Sequence, residues 1–197
     1  MKVQLFIDGE NFLYKIEDAL TSQGIDKNKV SIENIDLKRL FKLAFPDLKI
    51  DTHNFYSARL QFHKQSAKKS KELILKQRVL KTNLEKQGFE FILAGNVRPQ
   101  LVKVDGKSKT IFKEKGVDVR IAVDLVSLSC DKSIDIAILC SSDSDLQPAV
   151  AEARKRGVEI IYLGFENSPN KGLTYTTNRT VLFRNNEIAQ VVPAVVQ

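Results

Sequence analysis

Cysteine and histidine are scarce in this sequence. Its 197 residues include two cysteines, Cys130 and Cys140, and two histidines, His53 and His63. The cysteines form no CxxC pair and the histidines lie far from any cysteine cluster, so the usual spacings of a structural zinc site are missing. A chain of this length can bury a full-size core without disulfide bonds or a structural metal. We therefore expect two reduced thiols in an intracellular protein.

Long apolar runs are also missing. The first run is broken at Asp8 and Glu10, too early for a signal peptide, and no run approaches membrane-spanning length. We expect a cytoplasmic protein with no membrane partner. With 43% hydrophobic and 28% charged residues and no internal repeat, the chain is predicted to form one domain, residues 1–185, followed by a tail at 186–197. A formal charge of +7 favours an anionic partner.

Segments with strand and helix periodicity alternate along the chain. Strands are predicted at 3–7, 49–57, 89–94, 134–140 and 158–163, and helices at 11–23, 36–44, 65–88, 117–128 and 144–156. This alternation predicts an α/β fold with a mostly parallel sheet of about five strands. The first and fourth strands are the most continuously hydrophobic, so both should lie near the middle of the sheet.

The remaining segments are less regular. Residues 97–115 are predicted to form a hairpin or an exposed flap, because two short apolar runs flank the turn-like pair Asp105-Gly106. Residues 164–179 are rich in Asn, Ser, Thr and Gly and are predicted to be a loop. A short further strand at 180–183 is left open.

Acidic residues follow the two most apolar strands. Asp8 ends the first strand, and Asp143 and Asp145 come directly after the fourth. If these strands are neighbours in a parallel sheet, their carboxyl ends meet, and functional groups collect in the crevice beyond them. The order of the elements therefore predicts that Asp8 and Asp143 lie close together.

A third acid, Asp118, lies in the first turn of a predicted helix. It shares an arc of that helix with Ile121, Ala122 and Leu125, so its side chain should point towards the sheet. Asp124 lies at the edge of the same arc and is predicted to be a structural hydrogen-bonding residue.

A divalent cation would neutralise such acids. Burying an ionised carboxylate without a partner is costly, and carboxylates with open water positions suit Mg²⁺ or Mn²⁺. We expect one ion to be shared by Asp8, Asp118 and Asp143. An ion in that position can activate water and stabilise the charge that develops on a phosphate under attack.

Simpler structural roles remain open for these residues. Asp8 could begin an Asp-Gly turn, and Asp118 could be the N-cap of its helix. Asp145 could cap the next helix, which would place Pro148 in the first turn, where proline costs little. Asn11 could hold a metal-bound water or a phosphate oxygen, or could itself cap a helix.

Three motifs, taken in order, resemble those of a known family. FIDGEN at residues 6–11, KGVDV at 115–119 and SSDSDLQP at 141–148 are similar to the motifs of the NYN domain, in its LabA-like branch, within the PIN-like nuclease superfamily. The resemblance spans Lys2 to Leu163. It implies a PIN-like, Rossmannoid three-layer fold and a metal-dependent ribonuclease that uses a metal-activated water.

The resemblance also assigns residues to the implied site. Its catalytic set is Asp8, Asn11, Asp118, Asp143 and Asp145, with the metal on Asp8, Asp118 and Asp143. Two departures from the family pattern affect this assignment. Family members often have glycine where this chain has Ser142. Many PIN-like nucleases also have a glutamate from an early helix, for which Glu10 and Glu17 are the candidates here.

Lysines crowd the predicted flap. The predicted RNA-binding residues are Lys103, Lys107, Lys109, Lys113, Lys115, Ser141 and Ser142. Phosphate contacts from lysines give salt-dependent affinity with little sequence preference. The predicted helix at 65–88 is also basic, and a solvated face is the better explanation for it. The choice of single-stranded RNA as partner comes from the family resemblance, and a homodimer is left open.

Three functions are compatible with these features. The first is a Mg²⁺- or Mn²⁺-dependent ribonuclease, and the second is an RNA-binding or regulatory module of the same fold with weak or no catalysis. The third, a metal-dependent phosphatase for small phosphate esters, would leave the lysines without a role. The first strand also lacks the Asp-x-Asp pair of haloacid-dehalogenase phosphatases, because Glu10 stands at the second position. We favour the ribonuclease.

Overall fold

Strands and helices alternate throughout the chain. The computed structural model describes residues 1–64, 67–104 and 107–195, and the side chains of 98–104 and 107–113 lie outside that description. The strands in the described residues are β1 (Val3–Asp8), β2 (Thr52–Arg59), β3 (Glu90–Val104), β4 (Lys107–Lys115), β5 (Ile136–Cys140), β6 (Glu159–Phe165) and β7 (Arg179–Phe183). The helices there are α1 (Gly9–Ser22), α2 (Leu37–Ala44), α3 (Ala67–Lys86), α4 (Val117–Cys130), α5 (Gln147–Lys155), α6 (Lys171–Thr176) and α7 (Asn185–Ala189).

One mostly parallel sheet joins the strands, in the order β4-β3-β2-β1-β5-β6-β7. Every neighbouring pair is parallel except β3 and β4, which run antiparallel. The predicted α/β fold is therefore confirmed. So is the central position of the two most apolar strands, since β1 pairs directly with β5, with Ile7 opposite Cys140. The prediction of about five strands is wrong, because the described residues contain seven.

The two additional strands arise at the edges of the sheet. β3 continues past its apolar start and pairs along its second half with β4, so the predicted hairpin is confirmed and supplies one more strand. Gly95 has φ of +69°, and a Cβ there would lie 2.2 Å from the main-chain oxygen of Lys115. Only glycine fits this close approach of the two strands. The other addition is β7, which pairs with β6.

Both faces of the sheet are covered. Successive residues of β1 point to opposite faces, so Leu5 and Ile7 pack in one apolar cluster and Phe6 in the other. The first cluster includes residues of α1, α2 and α3, and the second includes residues of α4, α5 and α6. Helices therefore form a layer on each side of the sheet. None of the helices in the described ranges is both long and apolar enough to cross a membrane.

Two segments depart from the predicted pattern of helices. The predicted loop at 164–179 contains α6, whose N-cap Asn170 accepts a hydrogen bond from the Leu173 N–H at 2.9 Å. This helix has only six residues, too few for a periodic apolar pattern to reveal it. The predicted helix at 144–156 begins as a 3-10 turn, Ser144–Leu146, before α5 starts at Gln147.

The segment predicted to be a C-terminal tail packs against the domain. α7 buries Ile188, and Val191 and Val192 are also buried. The main chain of this segment bonds to the loop between α1 and α2: the Asp36 N–H donates to the Val191 carbonyl at 2.9 Å. Residues 185–195 therefore contribute to the apolar cluster around α1 and α2.

This packing predicts a stability effect far from the carboxyl ends of the strands. Ile188→Ala should lower the free energy of unfolding by about 2–4 kcal/mol, because it leaves a cavity beside α1 and α2. Asn186→Ala, on the exposed side of the same short helix, should change it by less than about 0.5 kcal/mol. Urea unfolding followed by circular dichroism measures both values. Equal stability of the two variants would show that α7 does not support the fold.

Candidate active site

Asp8 lies at the junction of β1 and α1. It is the last residue of the strand and the N-cap of the helix, so its Oδ1 accepts a hydrogen bond from the Asn11 N–H at 3.3 Å. Its Oδ2 accepts one from the Ser141 hydroxyl at 3.2 Å, across the β1–β5 pair. The residue is only 5% exposed. Asp8 therefore has a capping role and also points into the crevice between the two central strands.

Burial makes the negative charge of Asp8 unfavourable. Loss of solvent raises its pKa from 3.8 to about 6, although the hydrogen bonds from Asn11 and Ser141 oppose that rise. The negative charges of Glu114 and Asp143 raise the pKa further. These two interactions also show that the three carboxylates are close enough to repel one another.

Hydrogen bonds hold the loop after β5 against α1. The side-chain oxygen of Asn11 accepts from both the Ser142 N–H, at 3.1 Å, and the Ser142 hydroxyl, at 2.8 Å. On the other side, the Asn170 amide donates to the Ser142 carbonyl at 2.7 Å. The side-chain oxygen of Asn11 thus holds this loop beside Asp8.

Asp143 is fixed by the same loop. Its N–H donates to the Ser141 hydroxyl oxygen at 3.1 Å, and its Oδ1 accepts from the Asp145 N–H at 2.9 Å. Asp143 is therefore the residue that caps the turn before α5. The alternative that Asp145 caps this helix is wrong, since Asp145 is exposed within the turn, although Pro148 does lie in the first turn of α5.

Asp118 lies in the first turn of α4 and is half-buried. The buried stripe of this helix runs through Val117, Ile121 and Leu125. Asp118 therefore lies beside the buried stripe, whereas its spacing had predicted a side chain directed at the sheet. The alternative that Asp118 caps the helix is also wrong. The N-cap is Gly116, at φ of +96°, and the Val117 N–H donates to Glu114 Oε1 at 3.0 Å.

Asp124, which also lies on α4, has the structural hydrogen-bonding role that was predicted. It accepts a hydrogen bond from the buried Tyr56 hydroxyl at 3.0 Å and pairs with Arg120 at 2.8 Å. These bonds connect α4 to the middle of β2. Asp124 is therefore engaged within the fold.

Two glutamates, Glu10 and Glu114, lie close to the predicted acids. Glu114, near the end of β4, has a pKa raised by desolvation and by the charges of Asp118 and Asp143. Desolvation and the charges of Glu114 and Asp8 likewise raise the pKa of Glu10, although this side chain keeps contact with solvent. Glu10 had been one of two candidates for the early-helix glutamate, whereas Glu114 had no signal apart from its place before KGVDV.

Five carboxylates therefore share one electrostatic environment: Asp8, Glu10, Glu114, Asp118 and Asp143. Among the described side chains, no lysine, arginine or histidine forms an ion pair with any of them. Such a group of uncompensated oxygen ligands fits the preference of Mg²⁺ or Mn²⁺.

The spacing of the acids limits how such an ion could be held. Nowhere in the described residues do three His, Cys, Asp or Glu side chains converge tightly enough to bind a metal together. Mg²⁺, however, usually takes only one or two protein carboxylates and keeps several waters. The acids fit a site of that open kind.

The predicted RNA-binding residues lie in different surroundings. Ser141 is 4% exposed and its hydroxyl is engaged with Asp8 and Asp143, and Ser142 is bonded to Asn11, so the structure gives both serines a positioning role. Lys115 is exposed at the end of β4, next to Glu114. The side chains of Lys103, Lys107, Lys109 and Lys113 fall outside the described part of the hairpin.

Comparison with known proteins identifies the family. The NYN domain profile matches residues 2–182. The chain belongs to the NYN domain family. Its fold is similar to that of a crystal structure of a Vibrio parahaemolyticus protein of unknown function, with a TM-score of 0.53 and 19% identity over 92% of this chain and 91% of that one. No curated protein matches this NYN domain. The LabA-like branch stays a prediction.

The raised pKa of Asp8 predicts a pH-dependent stability. In the unfolded chain this carboxyl ionises near pH 3.8 and in the fold near 6, so the fold binds the proton more tightly. Stability should therefore fall as pH rises through this interval, by about 3 kcal/mol at most. Asp8→Asn, which keeps the N-cap acceptor, should then stabilise the metal-free protein at pH 7.5.

Urea unfolding at pH 7.5 and at pH 3.5, in the presence of EDTA, measures this effect. The gain from Asp8→Asn should be about 1–3 kcal/mol at the higher pH and close to zero at the lower one, where Asp8 is mostly protonated in both states. A gain of the same size at both values would show that the charge of Asp8 does not cause it.

Proposed function

We propose that this NYN domain is a Mg²⁺- or Mn²⁺-dependent ribonuclease that cleaves single-stranded RNA. The observation that supports it most strongly is the group of five carboxylates without a described counter-cation, at the crevice beyond β1 and β5. In parallel α/β sheets this crevice is the usual position of the functional site. The NYN domain is a PIN-like nuclease family, so the position of the acids and the family membership support the same function.

The residues of the site divide into ligands and supports. Asp8 and Asp143 would hold the ion directly, with Asp118 and Glu114 contributing directly or through water. A bound divalent cation would supply an activated water and would offset the negative charge that builds up on the phosphate. Asn11 and Ser141 hold the two direct ligands at their present positions. Asp145 is exposed at the rim of the site, where it could bind a second ion or a water.

The flap would guide the RNA backbone to the acids. β4 leads directly into α4, so a strand bound along the hairpin ends beside Glu114 and Asp118. Lys103, Lys107, Lys109, Lys113 and Lys115 would supply the phosphate contacts, as predicted from the sequence. Affinity from such contacts falls with rising salt.

A second function is favoured by the surroundings of Asp8. Both of its oxygens already accept hydrogen bonds, and its pKa of about 6 lowers the cost of a neutral acid. A fold that holds Asp8 in this way suits an RNA-binding or regulatory module with weak or no catalysis.

The homodimer left open above receives no support from the comparisons and stays a prediction.

Asp143→Asn separates the two functions. The amide keeps the acceptor that caps the turn before α5, so the fold and RNA binding should persist. Cleavage of single-stranded RNA with Mn²⁺ should fall at least 100-fold, because a charged ligand is lost. The control is Asp131→Asn, an exposed acid at the far end of α4, which should keep full activity. Wild-type activity in the Asp143 variant, or activity that survives EDTA, would rule out the proposed mechanism.

Glu114→Gln tests the glutamate that the sequence did not reveal. Glutamine can still accept the Val117 N–H, so α4 keeps its first hydrogen bond. The affinity for Mn²⁺, measured by calorimetry without RNA, should fall by about tenfold or more, as it does when groups that support metal ligands are replaced. Unchanged affinity would place Glu114 outside the metal site.

A further inference from the structure

The end of β2 and the start of α3 lie on the same edge of the sheet as the acids. Asp8 is opposite Tyr56 in the β1–β2 pair, and β2 continues to Arg59. After a short loop, α3 runs back along the sheet, with Gln77 Nε2 donating to the Ala58 carbonyl at 2.8 Å. Since a helix rises 1.5 Å per residue, Lys68 lies about 14 Å beyond that contact. The first turns of α3 therefore project past the end of β2, beyond the edge of the sheet where the acids lie.

Four cations in this region have no acidic partner among the described residues. Arg59, Lys64, Lys68 and Lys71 are exposed, and none forms an ion pair with a described acid. Farther along α3, by contrast, two lysines pair with neighbouring acids.

That contrast is seen in three contacts. Lys76 lies 3.3 Å from Glu72 and 3.8 Å from Glu33, and Lys81 lies 3.7 Å from Glu85. The first turn of α3 contains no acid at all. Cations at the start of a helix oppose its dipole, so their placement here is unfavourable unless an anion compensates them.

An exposed aromatic ring lies in the chain segment between two of these cations. Phe62 is 50% exposed, in the loop between Arg59 and Lys64. Sites for single-stranded nucleic acids combine a positive surface, which follows the backbone, with aromatic rings on which bases stack. The sequence predicted that this helix has a solvated face, and a solvated face does not explain an exposed ring in the preceding loop. The structure thus distinguishes the first turns of α3 from the remainder of the helix.

We propose that Arg59, Phe62, Lys64, Lys68 and Lys71 form a binding surface for single-stranded RNA, the β2–α3 surface. The lysines and Arg59 contact phosphates, and Phe62 stacks on an unpaired base. This surface would hold the strand on the β2 side of the acids, away from the β5 loop. The inference rests on the proposed function, which identifies the polyanion as single-stranded RNA. It adds the position on the domain at which the bases are held.

The absence of tryptophan from the sequence provides a direct probe of stacking. Phe62→Trp introduces the sole tryptophan, and Asp143→Asn in the same protein prevents cleavage. Addition of a single-stranded RNA oligonucleotide should quench the tryptophan emission. Inorganic polyphosphate, which carries charge but no bases, should leave the emission nearly unchanged. RNA that binds without quenching would overturn the stacking contact.

Truncation of the ring tests the same contact by affinity. In the Asp143→Asn background, Phe62→Ala should weaken binding of a fluorescein-labelled single-stranded RNA by about tenfold, whereas Phe62→Trp should retain it. Fluorescence anisotropy at fixed salt measures both. Equal affinities for the alanine and tryptophan variants would overturn the role of Phe62.

The salt dependence of RNA binding tests the cations. Replacing Lys64, Lys68 and Lys71 together with alanine should reduce the slope of log K against log salt by about 2, since each lost phosphate contact removes about 0.7 for a single strand. The matched control replaces Lys76, Lys81 and Lys86, which removes the same charge from the later part of α3 and should leave the slope unchanged. Lys81 is half-buried and the other five side chains are exposed, so thermal unfolding should be similar for both triple variants.

The outcomes separate this inference from the proposed function. Equal slopes in the two triple variants would overturn the β2–α3 surface and leave the nuclease proposal intact, provided that the Asp143→Asn protein still binds RNA. Failure of that protein to bind any single-stranded RNA would overturn both.

Discussion

The hydrogen bond from Ser141 to Asp8 joins the carboxyl ends of the two central strands, and the acidic site depends on it. Asp8 is buried at the point where β1 turns into α1, and Ser141 begins the loop that carries Asp143. The Asn11–Ser142 contact reinforces the same junction from the helix side. The two most buried strands of the sheet thereby fix two carboxylates that belong to distant parts of the sequence.

The position of these acids has an electrostatic cost that no cation among the described side chains relieves. Asp8 loses solvent and lies near the like charges of Glu114 and Asp143, while Asp118 adds its charge beside Glu114. Glu10 in turn is affected by the charges of Asp8 and Glu114. Such an arrangement lowers stability at neutral pH without benefit to packing. Sites of this kind are characteristic of function, because perturbed carboxylates are useful for binding cations and handling protons.

Part of this site could be predicted from the sequence because it depends on simple rules. Two strands apolar on both faces had to be central, and an acid at the end of each had to enter the same crevice, which gave Asp8 and Asp143. The orientation of Asp118 was harder, because α4 is apolar on its outer side as well. Val119 is 61% and Val123 54% exposed, so the apolar arc did not identify a single buried face.

The positions of other residues of the site depend on tertiary contacts that no local sequence pattern reveals. Glu114 reaches the site only because β4 pairs antiparallel with β3 and delivers its last residues to the start of α4, a register set by the close approach at Gly95. Asn170 reaches Ser142 from a helix hidden in a polar segment too short to show periodicity. In both cases tertiary contacts, and not local secondary-structure propensity, bring the residue to the site.

The packing of α7 and the following residues also bears on the order in which the chain can fold. Gln23, at the end of α1, donates a hydrogen bond to the Asn185 carbonyl, 162 positions later in the sequence. The loop between α1 and α2 likewise receives main-chain partners from Val191 and Pro193. Contacts of such sequence separation form late and slow folding. During synthesis on the ribosome, the loop between α1 and α2 would therefore take its final structure only after nearly the whole domain has emerged.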